Sequence, residues 1–359
     1  MKKALASILL ALALVAACMG AGPIKAASPA EEFRVERLRI GWYDGIGFSE
    51  SPRQLADWGF DLVLPYVGEA RSEEVLRYLA GAAEAGIDVV VEIPRSLAIE
   101  AGSGLDAYVS AIRESPALDS WYLYDEPEWK PETWLAGLRP AYARIKALDP
   151  NHPATLVFMF PFFAGAFARS MDSFWVDCYP FAEGSPEFAA FREGYLSSFE
   201  VLQSQSQRLG KNLGIVLQGF GQDSGGKAQF WRRLPSVAET RTMLLACLAA
   251  RPSTILFWAL YRSNRSWIES ALLPAFRELR SAFPRGIVYY QNSGYSKGGE
   301  GAIVRRLGDG EGKNWILLVS NSDRSRTFTL TGGESSPVLS LALPAYGAAL
   351  VSLATQEAP

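Results

Sequence analysis

The chain has 359 residues, 35 of them basic and 38 acidic, for a formal net charge of −3. That near-neutral balance argues against nucleic-acid binding, which needs a basic stripe to meet phosphates. His152 is the single histidine, so a three-histidine zinc site is excluded, and a Ser-His-Asp triad or Cys-His dyad would use the only imidazole; chemistry falls to carboxylates, tyrosines or a lysine.

Residues 1–18 have the form of a targeting segment. Lys2 and Lys3 give a positive start, and Ala4 to Ala17 is a small and apolar run too short to span a bilayer comfortably. The run ends in Val15-Ala16-Ala17-Cys18, which resembles a bacterial lipobox. That resemblance implies lipidation of Cys18 and a membrane contact through the anchor alone. The alternative is secretory cleavage near Ala26-Ala27. Either way the protein is expected outside the cytoplasm, as an anchored lipoprotein or as a soluble secreted or periplasmic protein. Residues 19–33 are then a Gly/Ala/Pro tether.

Eight short apolar runs follow, alternating with helical patterns: Leu38–Tyr43, Asp61–Tyr66, Ile87–Ile93, Ser120–Asp125, Ala154–Met159, Ser173–Tyr179, Leu213–Gly219 and Thr254–Tyr261. They are continuous rather than alternating, as strands covered on both faces should be. A helix from about Ser72 to Ala85 stops at Gly86, a natural C-terminal breaker. Strand-helix units in this number predict an α/β fold, a (β/α)8 TIM barrel over residues 34–284. An open doubly wound sheet is the alternative, but no Gly-x-Gly-x-x-Gly turn follows the first run. His152, in Asp149-Pro150-Asn151-His152-Pro153, precedes the fifth run and reads as a turn and capping residue. Cys178 in a run and Cys247 in an apolar helix read as two buried thiols rather than a disulfide.

Beyond a helix ending near Phe283 the pattern changes. Ile287–Tyr290, Ala302–Arg306, Trp315–Asn321, Thr327–Leu330, Val338–Ala342 and Ala348–Leu353 are short strands separated by turn residues. Asp309-Gly310 and Gly332-Gly333 are hairpin signals. Residues 285–359 are therefore expected to form a small all-β sandwich.

The stretch Trp121-Tyr122-Leu123-Tyr124-Asp125-Glu126-Pro127-Glu128 runs four apolar or aromatic residues into adjacent carboxylates. Acids where a buried strand emerges are costly unless paired, hydrogen-bonded or in use. Pro127 disfavours the right-handed helical region for Glu126 and is expected to keep it extended. The acids could instead cap the next helix, but Lys130-Pro131-Glu132 gives that helix its own start. In a barrel the strand ends form the active face. There the runs place Trp42 and Asp44, Tyr66, Glu92 and Arg95, Asp125 and Glu126, Asp177 and Tyr179, Gln218, and Trp258 and Tyr261. Aromatic rings and hydrogen-bonding groups of this kind suit a sugar-binding surface.

Tyr124-Asp125-Glu126-Pro127 at the fourth run, Asp177-Cys178-Tyr179-Pro180 at the sixth, Phe257-Trp258-Ala259-Leu260-Tyr261 at the eighth and the C-terminal β domain resemble the TIM-barrel glycoside hydrolases. The resemblance covers nearly all of the mature chain in layout. In the large retaining clan an Asn-Glu pair ends the fourth strand and a glutamate nucleophile ends the seventh. Glu126 matches the acid/base, Asp125 replaces the asparagine, and Gln218 cannot be a carboxylate nucleophile. In a second version, the β-N-acetylhexosaminidases with an Asp-Glu pair, the substrate's 2-acetamido group attacks the anomeric carbon. Asp125 would then stabilise that group and Glu126 protonate the leaving oxygen. The resemblance implies Glu126 and Asp125 as catalytic residues, with Trp42, Asp44, Tyr66, Glu92, Arg95, Asp177, Tyr179, Gln218, Trp258 and Tyr261 as substrate contacts. It implies an oligo- or polysaccharide substrate and neither metal nor organic cofactor; a monomer is expected. The rivals are a non-catalytic carbohydrate-binding lipoprotein on a degenerate barrel, and a polysaccharide lyase or transferase.

The lipobox makes a test of location. Cys18→Ser should move the protein from the membrane to a soluble fraction on cell fractionation. Wild-type protein that is already soluble and begins downstream of Cys18 would contradict the anchor.

Overall fold

A computed structural model describes residues 32–45, 52–68, 72–181, 186–221, 231, 233–290, 296–298, 302–320, 322–331 and 337–353. The lipobox, most of the tether and the Gly332-Gly333 turn lie outside the described residues.

Eight parallel strands close into a barrel in chain order. They are β2 (Arg39–Gly45), β3 (Leu62–Tyr66), β4 (Asp88–Glu92), β5 (Leu118–Asp125), β6 (Ala154–Phe158), β7 (Ser173–Cys178), β8 (Asn212–Gln218) and β9 (Thr254–Trp258). Every expected run is a strand, with ends shifted by a residue or two except at the eighth. That run was expected to reach Tyr261; the strand stops at Trp258, and Leu260–Arg262 forms a 3-10 turn after the Trp258-Ala259 cis peptide. All five residues of β6 are buried, as are the last six of β8, which is why the runs are continuous. The helix Ser72–Ala85 stops at Gly86, whose φ of 72° is the left-handed conformation that closes a helix. The helix after β5 begins at Pro131 and runs to Leu148.

The C-terminal strands make two antiparallel sheets. One orders β1 (Glu32–Val35), β10 (Ile287–Tyr290), β12 (Ala302–Gly308), β13 (Asn314–Ser320) and β16 (Ala348–Ser352); the other orders β11 (Ser296–Gly298), β14 (Arg326–Thr331) and β15 (Pro337–Leu343). Ala302, Ile316 and Leu318 of the first pack with Phe328, Leu330 and Leu343 of the second in one core cluster. The Asp309-Gly310 signal is a tight loop: Asp309 Oδ1 accepts from the Glu311 and Lys313 amides, and Gly310 and Gly312 have φ of 77° and 98°. β1 lies across the expected tether-barrel boundary and pairs with β10, Glu32 opposite Tyr290 and Val35 opposite Ile287. Cys178 and Cys247 are buried thiols and are not bridged.

By contacts the described chain divides into two compact units. One is built on Gly45–Asp177 with Gln205–Asn212, the other on Pro29–Asp44, Cys178–Ser204 and Leu213–Pro359. Within the second, sandwich strands bond directly to barrel elements. Arg241 donates to the Ala348 carbonyl at 3.0 Å and holds Glu278 with two bonds of 2.7 Å; Arg251 donates to the Tyr290 carbonyl at 2.9 Å and the Tyr289 hydroxyl to the Pro252 carbonyl at 3.2 Å. A chain ending at Pro284 loses Tyr289, Tyr290 and Ala348 and uncovers the groups they face. Such a truncate should aggregate in size-exclusion chromatography. A monodisperse truncate with the wild-type melting temperature would show two independently stable domains.

Candidate active site

β5 is anchored at its start. Trp121 is fully buried and its indole donates to Asp149 Oδ2 at 2.8 Å. Asp149 Oδ1 also accepts from the amides of Asn151 and His152, and Oδ2 lies 2.7 Å from His152 Nδ1. His152 thus belongs to the turn into β6, as its sequence context implies. Further along, Tyr122 and Leu123 are buried and Tyr124 packs on Trp134 with ring centroids 3.5 Å apart. The register against β6 slips between Tyr122 and Tyr124. The strand ends at Asp125, and the Glu126 amide makes one more bond, to the Val157 carbonyl at 3.0 Å.

Glu126 is not extended. Its φ of 48° and ψ of 55° are left-handed, and its carbonyl accepts from the Trp129 amide to start the 3-10 turn Pro127–Trp129. Pro127 does exclude the right-handed helix for the residue before it, but Glu126 takes the left-handed region instead of the extended one. A non-glycine residue there carries strain of about 1–3 kcal/mol, of the kind found at functional sites. The strand's alternation therefore lapses between Asp125 and Glu126.

Both carboxyls are held in more protonated form than free acids. Asp125 is exposed at the end of β5, with Tyr122, Glu126 and Glu92 acting on its carboxyl. Desolvation pushes its pKa up to about 7; the Tyr122 phenol opposes this, while the charges of Glu126 and Glu92 add to it. Glu126 is half-buried and raised by desolvation, against a 2.7 Å hydrogen bond that its Oε2 accepts from Trp129 Nε1.

Two further residues, which the sequence reading did not assign to the site, fix this turn. Glu128 is 5% exposed, and its Oε1 accepts from the amides of Met159 at 2.6 Å and Phe160 at 2.8 Å in the loop after β6. Its Oε2 is buried without a hydrogen-bond partner, and burial lifts the carboxyl to about 7. A Glu one residue after a proline looks like a helix-start acid; its partners lie 31 and 32 residues away, beyond any local signal. Trp129, 58% exposed, is the second.

The other expected residues divide between the two units. In the first, Glu92 ends β4, and its Oε2 accepts from the amides of Val67 and Gly68 at 2.7 and 3.2 Å, bracing the loop after β3. Arg95 is exposed and lies over the rings of Tyr124 and Trp134 at 5.8 and 5.4 Å. Tyr66 and Asp177 are half-buried at the ends of β3 and β7. In the second unit, Trp42 and Asp44 are 0% and 1% exposed, and Trp42 packs on Phe257 and Trp267. Gln218 is fully buried; its Oε1 accepts from the Phe181 amide and its Nε2 donates to the Phe220 carbonyl, both at 3.2 Å. These three are internal and present no surface to a ligand here. Tyr179 and Trp258 are half-buried in a ring cluster with Phe220 and Trp231, and Arg262 lies 4.9 Å above Trp258 and 5.7 Å above Tyr261.

No protein-family model and no curated protein sequence matches the chain. Solved structures do. A GH27 β-L-arabinopyranosidase from Geobacillus stearothermophilus superposes with a TM-score of 0.59 over 90% of this chain and 98% of that one, at 13% identity. The endo-β1,6-glucanase BT3312 gives 0.53 over 92% and 95% at 11% identity, and Eubacterium rectale Amy13B gives 0.53 over 88% and 95% at 9%. A variant of the arabinopyranosidase was solved with arabinose. The likeness is one of fold, an eight-stranded parallel barrel with a C-terminal β domain, and these structural neighbours are glycoside hydrolases.

Glu128 makes the next test. Its folded pKa of about 7 lies above the ordinary 4.5, so between those values the folded state binds the extra proton. Its contribution therefore makes stability fall as pH rises through that window. Glu128→Gln keeps the amide acceptor and should flatten this part of the pH-stability curve. Glu128→Ala strands two half-buried amides and should destabilise by about 1–3 kcal/mol in all. Chemical denaturation at several pH values reads both; an alanine variant as stable as wild type would remove Glu128 from this role.

Proposed function

We propose that the chain is an exported glycoside hydrolase, anchored through Cys18, with Glu126 as general acid/base and Asp125 as its partner. The observation that supports this most is the left-handed Glu126 directly after Asp125, two adjacent carboxyls raised by desolvation at the C-terminal end of a barrel strand. A general acid must hold its proton until the glycosidic oxygen leaves. Glu126 gives that proton to the oxygen as the bond to the anomeric carbon breaks and the bonding pair stays on oxygen. Glu126 then takes a proton from the water whose hydroxyl joins the anomeric carbon. Asp125 orients Glu126 or stabilises the positive charge that develops, by facing either the sugar ring or a 2-acetamido group that attacks in the enzyme's place. Within the same unit, Tyr66, Arg95 and Asp177 are the sugar contacts proposed with them.

The second reading, a carbohydrate-binding protein without turnover, draws on Gln218. Retaining relatives by resemblance would need a carboxylate there, and here a buried amide bonds to two backbone groups.

Glu126→Gln keeps the shape and removes the proton donor. Turnover of a natural-type glycoside should fall about 10²–10⁴-fold, with far less change in binding. A substrate with a good leaving group should be partly spared. Asp125→Asn should slow both substrate types, because it acts on the developing charge. A Glu126→Gln enzyme as fast as wild type would exclude Glu126 as the acid. Wild type inert on a broad glycoside panel, yet losing oligosaccharide binding on Trp258→Ala, would favour the binding protein.

A further inference from the structure

Exposed aromatic rings continue outward from the acid. Trp129, 58% exposed, donates its indole N–H to Glu126 and meets Phe160 edge-on at 5.6 Å. Phe160 lies 5.8 Å from Phe162, tilted by 34°, and Phe162 lies 4.6 Å from Phe163, tilted by 35°. Phe162 is 45% exposed and Phe163 only 7%, so the row is rooted in the fold. The loop bearing it is held by Glu128, which binds the amides of Met159 and Phe160. Trp129 and Phe162 give much of their ring surface to water, an unfavourable placement without a ligand.

We propose that Trp129, Phe160 and Phe162 form a stacking platform for the sugar on the leaving-group side of the scissile bond, so that the natural leaving group is itself a glycosyl unit. The inference rests on Glu126 being the general acid. The acid delivers its proton to the leaving oxygen, so surfaces joined to the acid border the leaving group. The C–H faces of a pyranose are apolar and flat, and stack on aromatic rings while the equatorial hydroxyls stay in water. A row of three rings offers length for more than one sugar, which makes the substrate class an oligo- or polysaccharide rather than a small aryl or alkyl glycoside. A protein partner seated on these rings would cover the acid itself.

The test compares two leaving groups with the same glycosyl part. Cellohexaose, chitohexaose, mannohexaose and β-1,6-linked glucohexaose are offered to wild type, together with the glycosyl fluorides of the same sugars. On a hexasaccharide that wild type cleaves, Phe162→Ala should lower kcat/KM about tenfold, and the Phe160→Ala/Phe162→Ala pair about 100-fold, at about one decade per stacked ring. Phe162→Tyr should retain the rate, since the face persists. On the fluoride, which leaves the platform empty, the loss should be far smaller. Unchanged hexasaccharide kinetics, or equal losses on both substrates, would overturn the platform. Wild type that hydrolyses a fluoride but no hexasaccharide would leave the glycosidase reading intact and overturn the platform alone. Inactivity on both would overturn the glycosidase reading and the platform with it.

Discussion

A β-strand sends consecutive side chains to opposite faces, so Asp125 and Glu126 can act together only where β5 stops being a strand. Three features end it there. The register against β6 slips between Tyr122 and Tyr124, the last ladder bond is made by the Glu126 amide, and the Glu126 backbone turns left-handed into the Pro127–Trp129 turn. The strain in that residue is held by its neighbours. Pro127 removes the helical alternative, the Trp129 amide bonds the Glu126 carbonyl, and Glu128 ties the turn to Met159 and Phe160.

The same arrangement sets the protonation of the pair. Desolvation raises Asp125, Glu126 and Glu128, and the charge of Glu126 adds to the rise of Asp125 and Glu128. What separates them is hydrogen bonding. Glu126 receives one indole N–H, Glu128 receives two backbone amides, and Asp125 has the Tyr122 phenol beside it. Glu128 is buried and facing backbone, Asp125 is open to solvent, and Glu126 stands between those extremes. Of the three, Glu128 is therefore the brace of the turn.

The barrel was legible because β-strands covered on both faces leave unbroken apolar runs, and Gly86 and Pro131 mark helix ends that depend on their own backbone limits. β1 and β11 left no such mark. Glu32–Val35 alternates polar and apolar residues over only four positions, and Ser296–Gly298 has three residues and none of them large and apolar, so neither is long enough to stand out as a strand. The acids were legible as chemistry, but not their geometry. The rule for a residue before proline disfavours one basin and leaves two, and it does not choose between them. Gln218 ends β8 and Asp44 lies near the end of β2, while Trp42 sits at the middle of that strand, and the burial of all three is not recorded in any local pattern.

The account turns on the proton of Glu126, and the pH dependence of kcat/KM reports it directly. With an activated glycoside and a natural-type glycoside, wild type should show an alkaline limb on the natural substrate from loss of that proton. The Glu126→Gln enzyme, which has no proton to lose there, should lack the limb on whichever substrate it still turns over. An alkaline limb unchanged in position and depth in that variant would place the acid elsewhere and contradict the account.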